Sequence, residues 1–256
     1  MNLELDNKNV LVTGASRGIG LAIAESFLKE GANVMIVSRG SNLLSQSASL
    51  LQKKYTNASV EFAECDCTNQ ESLEVLSKLI SNKWSKLDIV VANVGDGRSE
   101  PNPIPTNDQW RKTWSKNFES ALFTSRVFLP SIELSRGCLL FIASIAGFEV
   151  LGAPVDYSTA KSAVISFAKN LSRKVTKDVR VNVIAPGNII FPGSSWDKKM
   201  DQDPFGTQAL IDSSVPMKRF GDPQEVADLA VFICSERAKF ITGSVFVIDG
   251  GQTVSS

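Results

Sequence analysis

Seven short runs rich in Val, Ile and Leu, at 9–13, 33–37, 60–64, 89–92, 138–143, 180–184 and 244–248, alternate with longer stretches of helical period along the whole chain. No other feature narrows the fold so far. Several runs are apolar at nearly every position, which calls for burial on both faces, and such strands belong to a parallel sheet covered by crossover helices. Helical stretches fall at 18–30, 41–54, 69–83, 107–130, 155–175 and 222–235. Thr106 with Gln109 makes a capping box, and Asp222-Pro223 with Glu225 combines an N-cap, a first-turn proline and an acidic third position. Gly31 closes the first helix, and Pro130 is expected to stop or kink the fourth. The expected fold is α/β, one domain over residues 1–256, a doubly wound parallel sheet of seven strands with helices on both faces. The stretch 187–216 differs, mixing Pro, Gly and Ser with Phe191, Trp196, Met200 and Phe205 without a sustained period. A connection that long inside a compact domain is usually functional. It is expected to be a lid over the site, apolar on its inner side, with a short helix near 197–202.

The inventory of side chains removes several chemistries. Among 256 residues, 43% hydrophobic and 21% charged, there is no histidine, so the usual general base, the commonest zinc ligand and any Ser-His-Asp arrangement are absent. Another group must move protons. Twenty-seven basic residues balance twenty-seven acidic ones, leaving no net field to favour nucleic acid or an anionic membrane. A small-molecule substrate is expected instead. Cys65, Cys67, Cys138 and Cys234 lack C-x-x-C spacing and read as reduced, buried thiols, with no metal site. No apolar segment follows a basic start, and no apolar run approaches the roughly 18 residues that span a bilayer. The chain is therefore expected to be cytoplasmic.

Between the first strand and the first helix lies Thr13-Gly14-Ala15-Ser16-Arg17-Gly18-Ile19-Gly20. Glycines at 14, 18 and 20 permit a tight turn and let main-chain N–H groups approach a pyrophosphate at the helix N-terminus. About 20 residues beyond such a loop, at the end of the second strand, an acidic residue would hold the ribose diol of NAD. This chain has Ser38-Arg39 there. Arg39 and Arg17 offer two guanidinium groups suited to a 2′-phosphate, so NADP(H) is expected in preference to NAD(H). Far downstream, Ser144 follows an apolar run, and Tyr157 and Lys161 stand four residues apart on one helix face. A phenol needs a downward pKa shift of roughly 3 units, or 4 kcal/mol, to act as a base near neutrality. A lysine ammonium about 4 Å away at moderate dielectric supplies a term of that size, while burial opposes it. Tyr157 is then the expected general acid for carbonyl reduction and general base for alcohol oxidation.

Thr13 to Gly20, Asn93-Val94-Gly95, Asn117, Ser144, Tyr157, Lys161 and Pro186-Gly187 occur in the order and spacing of the short-chain dehydrogenase/reductase family. The chain resembles its branch of about 250 residues, in which 3-oxoacyl-(acyl-carrier-protein) reductases fall. The likeness runs from Lys8 to Asp249-Gly250-Gly251 and implies a single-domain Rossmann-type fold. It also implies a cofactor held by Gly14, Ser16, Arg17, Gly18, Ile19, Gly20, Ser38, Arg39, Asp66, Cys67, Asn93 and Gly95, with Tyr157, Lys161, Pro186, Gly187 and Ile189. Asp66 would meet the adenine ring, Asn93 and Gly95 would border the adenosine side, and Pro186, Gly187 and Ile189 would contact the nicotinamide half. By the same resemblance Lys161 holds the nicotinamide ribose, Ser144 orients the substrate oxygen, and Asn117 positions a water connecting Lys161 to solvent. Two departures stand out. The family's usual Asn-Asn-Ala-Gly is Ala92-Asn93-Val94-Gly95 here, and its threonine four positions beyond Gly187 is Phe191.

The expected activity is hydride transfer between the nicotinamide and a carbonyl or secondary alcohol. Phe148, Leu151, Phe191 and Trp196, with Ser144 and Tyr157, are the expected substrate wall, which would admit a sugar or polyol stacked on Trp196. Reduction of a 3-oxoacyl group on acyl carrier protein is the alternative, for which Arg173, Lys174, Lys177 and Arg180 offer a basic cluster. A nucleotide-binding regulator without turnover is a third reading, opposed by the intact Ser144, Tyr157 and Lys161. The small residues Ser158, Thr159, Ala160, Ser162 and Ala163 let another helix approach, and with the family likeness they predict a homotetramer.

Overall fold

In the computed structural model, which describes residues 2–175 and 177–254, the seven apolar runs become β1 (Asn9–Thr13), β2 (Asn33–Ser38), β3 (Val60–Glu64), β4 (Ile89–Ala92), β5 (Cys138–Ile142), β6 (Arg180–Pro186) and β7 (Val245–Ile248). They form one parallel sheet in the order β3-β2-β1-β4-β5-β6-β7. Register is strict where both faces are buried: Val10 pairs with Val34 on one side and with Ile89 on the other. Alternate residues of β1 serve opposite cores. Val10 and Val12 face the layer of α1 (Gly18–Lys29), α2 (Ser41–Lys54) and α9 (Pro223–Cys234), with Ile23 and Phe27 fully enclosed. Leu11 faces the layer of α3 (Gln70–Lys83), α5 (Ser120–Ser135) and α6 (Val155–Leu171), around Phe128 and Phe141. Each large side chain so enclosed contributes about 1.5–3 kcal/mol.

The expected capping box at Thr106 forms only in part, because the Thr106 N–H donates to Glu100 and the Gln109 side chain donates to Thr113. Thr106 accepts from the Gln109 N–H at the start of α4 (Asn107–Trp114), and Asp222 with Glu225 forms a full capping box on α9. All four cysteines are buried and free, and the Cys138 and Cys234 sulfurs stand 3.8 Å apart where β5 meets α9.

Two stretches differ from expectation. The segment 107–130 is not one helix: α4 gives way to a π-helical turn at Ser115–Glu119, after which α5 continues through Pro130 to Ser135. Pro130 neither stops nor ends the helix because it lies on an exposed face, as does Arg126, whose carbonyl loses its intrahelical donor and can turn to water. Thr124, Phe128 and Ile132 keep the opposite face packed. The lid is likewise more regular than its sequence, folding into α7 (Ser195–Gln202) and α8 (Pro204–Ser214). Asp203 caps α8 by accepting from the Gly206 N–H, and Pro204 opens it. Only Thr207 and Ile211 of α8 are buried, too few to print a helical period on the sequence.

Candidate active site

Strand order runs away from the β1/β4 pair in both directions, and in such a sheet a crevice opens at the carboxyl ends of those two strands. A cleft of 550 Å³ lies there. Its floor is the glycine loop, in which Gly14 and Gly18 have φ of 64° and 60°. Thr13 and Asn93 fix that loop to β4. The Thr13 hydroxyl accepts from the Asn93 N–H at 3.0 Å, while the Asn93 amide donates to the carbonyls of Thr13 and Gly14 at 3.0 and 3.1 Å. A Cβ at Gly20 would stand 2.5 Å from that amide, so the packing admits only glycine. Arg17, at the N-cap of α1, is extended and gives no side-chain cap, and the first turn holds no acid. The helix therefore presents uncapped N–H groups to the cleft, a donor set that suits a diphosphate.

Ser38, Arg39, Asp66 and Cys67, past the ends of β2 and β3, line the same cleft, and Arg17 lines it from the glycine loop. Asp66 is pinned by the Thr68 N–H and hydroxyl, at 3.0 and 2.7 Å. Arg17 also reaches the lid, donating to the Gly193 carbonyl at 3.2 Å. Phe191 comes down on the glycine loop, where its ring stands 2.5 Å from the place a Gly18 Cβ would take. The residues present thus fit a dinucleotide, with the lid resting on the diphosphate end.

The reactive side chains come from three elements. Ser144 lies just past β5 and caps a short 3₁₀ turn at Ile145–Gly147, accepting from the Ala146 N–H at 3.2 Å. Its hydroxyl neighbours the Tyr157 phenol from α6 and favours the ionised form. Lys161, one turn along α6, is 3% exposed and donates to the Ile142 carbonyl at 3.0 Å, its nitrogen 5.9 Å from the Tyr157 ring centre. Asn117 is fully buried in the π-helical turn, a distortion that brings its side chain to the loop after β4. Gly95 lies between Asn117 and Lys161: a Cβ there would stand 2.9 Å from the Lys161 nitrogen and 3.0 Å from the Asn117 oxygen. Tyr157 and Lys161 therefore line the cleft, while Ser144 and Asn117 lie outside its lining, the one beside Tyr157 and the other beside Gly95.

The charge balance differs from the expected one. Burial pulls Lys161 down to about 8, whereas burial pushes the Tyr157 phenol above its ordinary value despite the Ser144 hydroxyl. Desolvation is the largest influence on the phenol, and the Lys161 ammonium is directed at a strand-end carbonyl.

Other assigned residues have different neighbours from those expected. Gly187 closes the ends of β6 and β7, donating to the Ile248 carbonyl at 2.9 Å, with Asp249 where a side chain would go. Ile189 does line the cleft. Trp196, Phe148 and Leu151 lie outside its lining, while Phe191 lies within it. Trp196 instead packs on Phe220, with ring centres 5.4 Å apart and the Lys199 ammonium over its face at 4.4 Å, and so anchors α7. Sequence reasoning did not single out Asp96, Arg98, Lys116 and Lys198, which line the cleft. Adjacency of Asp96 to Gly95, and of Lys116 to Asn117, is the signal that could have found them.

Known proteins share this architecture. The family model described as enoyl-(acyl carrier protein) reductase matches residues 14–253. A tropinone reductase homolog of Arabidopsis thaliana is 36% identical, spanning 98% of this chain and 81% of its own. A 3-oxoacyl-[acyl-carrier-protein] reductase of Chlamydia muridarum is 33% identical over 98% of this chain and all of its own length. The structure of L-sorbose reductase from Gluconobacter frateurii, complexed with NADPH and L-sorbose, superposes over the whole of both chains with a TM-score of 0.93 at 32% identity. Fold, crevice and relatives agree: the chain belongs to the short-chain dehydrogenase/reductase family of oxidoreductases.

Proposed function

We propose that the protein is an NADP(H)-dependent carbonyl reductase and alcohol dehydrogenase acting on a small polar substrate of the ketose or polyol class. The observation that carries this reading is Tyr157 in the lining of the dinucleotide cleft, beside Ser144 and one turn from buried Lys161. The nucleotide would supply or take up the hydride. For reduction, Tyr157 gives its phenolic proton to the substrate oxygen as the C–O double bond becomes a single bond; for oxidation it takes that proton back. Ser144 holds the same oxygen by a hydrogen bond. Lys161, at a pKa of about 8, stays charged at neutral pH and steadies the phenolate formed once the proton has left. The sugar-class substrate is supported by the likeness to L-sorbose reductase over the full chain. Polar and charged side chains along the cleft, Asp96, Arg98, Lys116 and Lys198 among them, suit a substrate with several hydroxyls.

The 3-oxoacyl reductase reading has one specific support, the match to the Chlamydia muridarum relative over its entire length. Its docking patch is smaller than the sequence suggested. The Arg180 guanidinium is turned inward, donating to the carbonyls of Ile233 and Ser235 at 2.6 and 3.1 Å, which leaves Arg173, Lys174 and Lys177. A homotetramer is part of the same proposal, supported by exposed Thr159 and Ser162 on α6 and by β7 as an open sheet edge with Val247 exposed.

Three outcomes are expected. Tyr157→Phe should lower kcat at least 100-fold for whichever of L-sorbose, other ketoses or an acetoacetyl thioester the wild type reduces, followed as NADPH absorbance at 340 nm. Activity kept within tenfold would remove Tyr157 from the chemistry. Wild type should turn over faster with NADPH than with NADH at equal low concentration, and Arg39→Ala should raise the KM for NADPH about tenfold or more while leaving that for NADH within about twofold. Equal effects on both nucleotides would contradict the 2′-phosphate role. Light scattering at micromolar concentration should give four times the 27.7 kDa chain mass, and a monomer would refute the assembly.

A further inference from the structure

Gly95 is followed by Asp96-Gly97-Arg98, three residues to which the proton transfer described above gives no role. Their placement is tightly fixed. Buried Asn117 accepts from the Asp96 N–H at 2.9 Å and donates to the Asp96 carbonyl at 3.0 Å, so the backbone is clamped from both sides. A Cβ at Gly97 would stand 3.7 Å from the Tyr157 ring, an ordinary van der Waals separation, so this turn lies against the phenol. Two residues on, the Ser99 hydroxyl donates to the buried Asp156 carboxylate at 2.7 Å, and the other oxygen of that carboxylate accepts the Tyr157 N–H at 2.9 Å. The turn and the start of α6 are thus joined as one unit.

The Asp96 carboxylate is itself held in a fork. It accepts from Arg98 Nε and Nη2 at 2.8 and 2.7 Å and lies 3.4 Å from the Lys116 ammonium, with its side chain 19% exposed. Burial works against its charge, but the Arg98 side chain and N–H and the Lys116 ammonium outweigh that and hold the carboxyl below its usual value. It is therefore ionised throughout the working pH range. The charged groups around Tyr157 are Lys161 and Asp156 from α6, Asp96 and Arg98 from the turn, Lys116 from the π-helical turn and, along the lid side of the cleft, Lys198.

We propose that Asp96 is a positioning residue that acts through Tyr157: its fixed negative charge holds the proton on the phenol, so that the protonated form needed for carbonyl reduction survives to higher pH. Arg98 and Lys116 moderate that charge. The inference rests on Tyr157 being the proton donor of the proposed function. Physical reasoning gives its sign, because a nearby anion disfavours a phenolate and favours the neutral acid. The balance at Tyr157 agrees: burial raises it, Ser144 lowers it and Asp96 raises it again. Reduction, which needs the protonated phenol, should then persist to higher pH, and oxidation, which needs the phenolate, should set in later.

The chain has two tyrosines, Tyr55 and Tyr157. With tyrosine labelled by ¹³C at Cζ and Tyr55→Phe as the background, NMR follows the ionisation of Tyr157 alone, without substrate or turnover. Asp96→Asn should lower its midpoint by about half to one pH unit, and Arg98→Gln, which leaves the carboxylate less neutralised, should raise it. The alkaline limb of NADPH-dependent reduction should move in the same two directions. A merely loosened turn would slow the reaction at every pH without opposite shifts. An unmoved midpoint in Asp96→Asn, or shifts of the same sign in both variants, would overturn the proposal. Failure of the proton-donor reading would show separately, as activity surviving Tyr157→Phe.

Discussion

A cation taken out of water organises this site. Lys161 is 3% exposed and donates to the carbonyl at the end of β5, where the parallel strands direct their carboxyl ends into the crevice. Burying an ammonium costs several kcal/mol before compensation. The structure tolerates it because one side chain is missing at Gly95 and one helix is distorted at Ser115–Glu119, which brings Asn117 to the same space. Each of those features weakens local structure, and together they leave a charged group beside a phenol where neither would otherwise be stable.

Two further charge arrangements are built on the same frame. Arg17 and Arg39 line the cleft, and Arg17 also ties the glycine loop to Gly193. At the reacting end, the fork of Arg98 and Lys116 around Asp96 is tied by Asn117 to the π-helical turn and by Ser99 to the start of α6. The lid is anchored by packing: Trp196 rests on Phe220, while Ile190 and Gly221 share a backbone hydrogen bond at 3.0 Å. Phe191 of that segment rests on the glycine loop.

The inner strands β1, β4 and β5 were legible in the sequence because burial on both faces leaves an apolar run, and each of the seven falls within a residue or two of its expected place. Catalytic positions were legible because helical spacing alone puts Tyr157 and Lys161 on one face. What escaped depends on tertiary contacts. The π-helical turn carries no composition of its own, and α8 buries too little to show a period. Trp196 could serve a substrate or a hydrophobic anchor equally well by type, and its partner Phe220 is 24 positions away, beyond any local pattern. The net electrostatics at Tyr157 were hardest, because they turn on where the Lys161 ammonium is directed and on the neighbouring Asp96.

The central claim, a buried ammonium that serves the site at a cost in stability, has a direct thermodynamic signature. Lys161 titrates at about 8 in the folded chain against an ordinary value of 10.5. Below pH 8 both states are protonated and the penalty is fully present; between about 8 and 10.5 the unfolded chain holds a proton the folded one lacks, so stability rises with pH. Urea unfolding from pH 7 to 10.5 should therefore show a gain on the order of 2–3 kcal/mol in wild type relative to Lys161→Met, which lacks the group. Parallel curves for the two proteins would contradict the account.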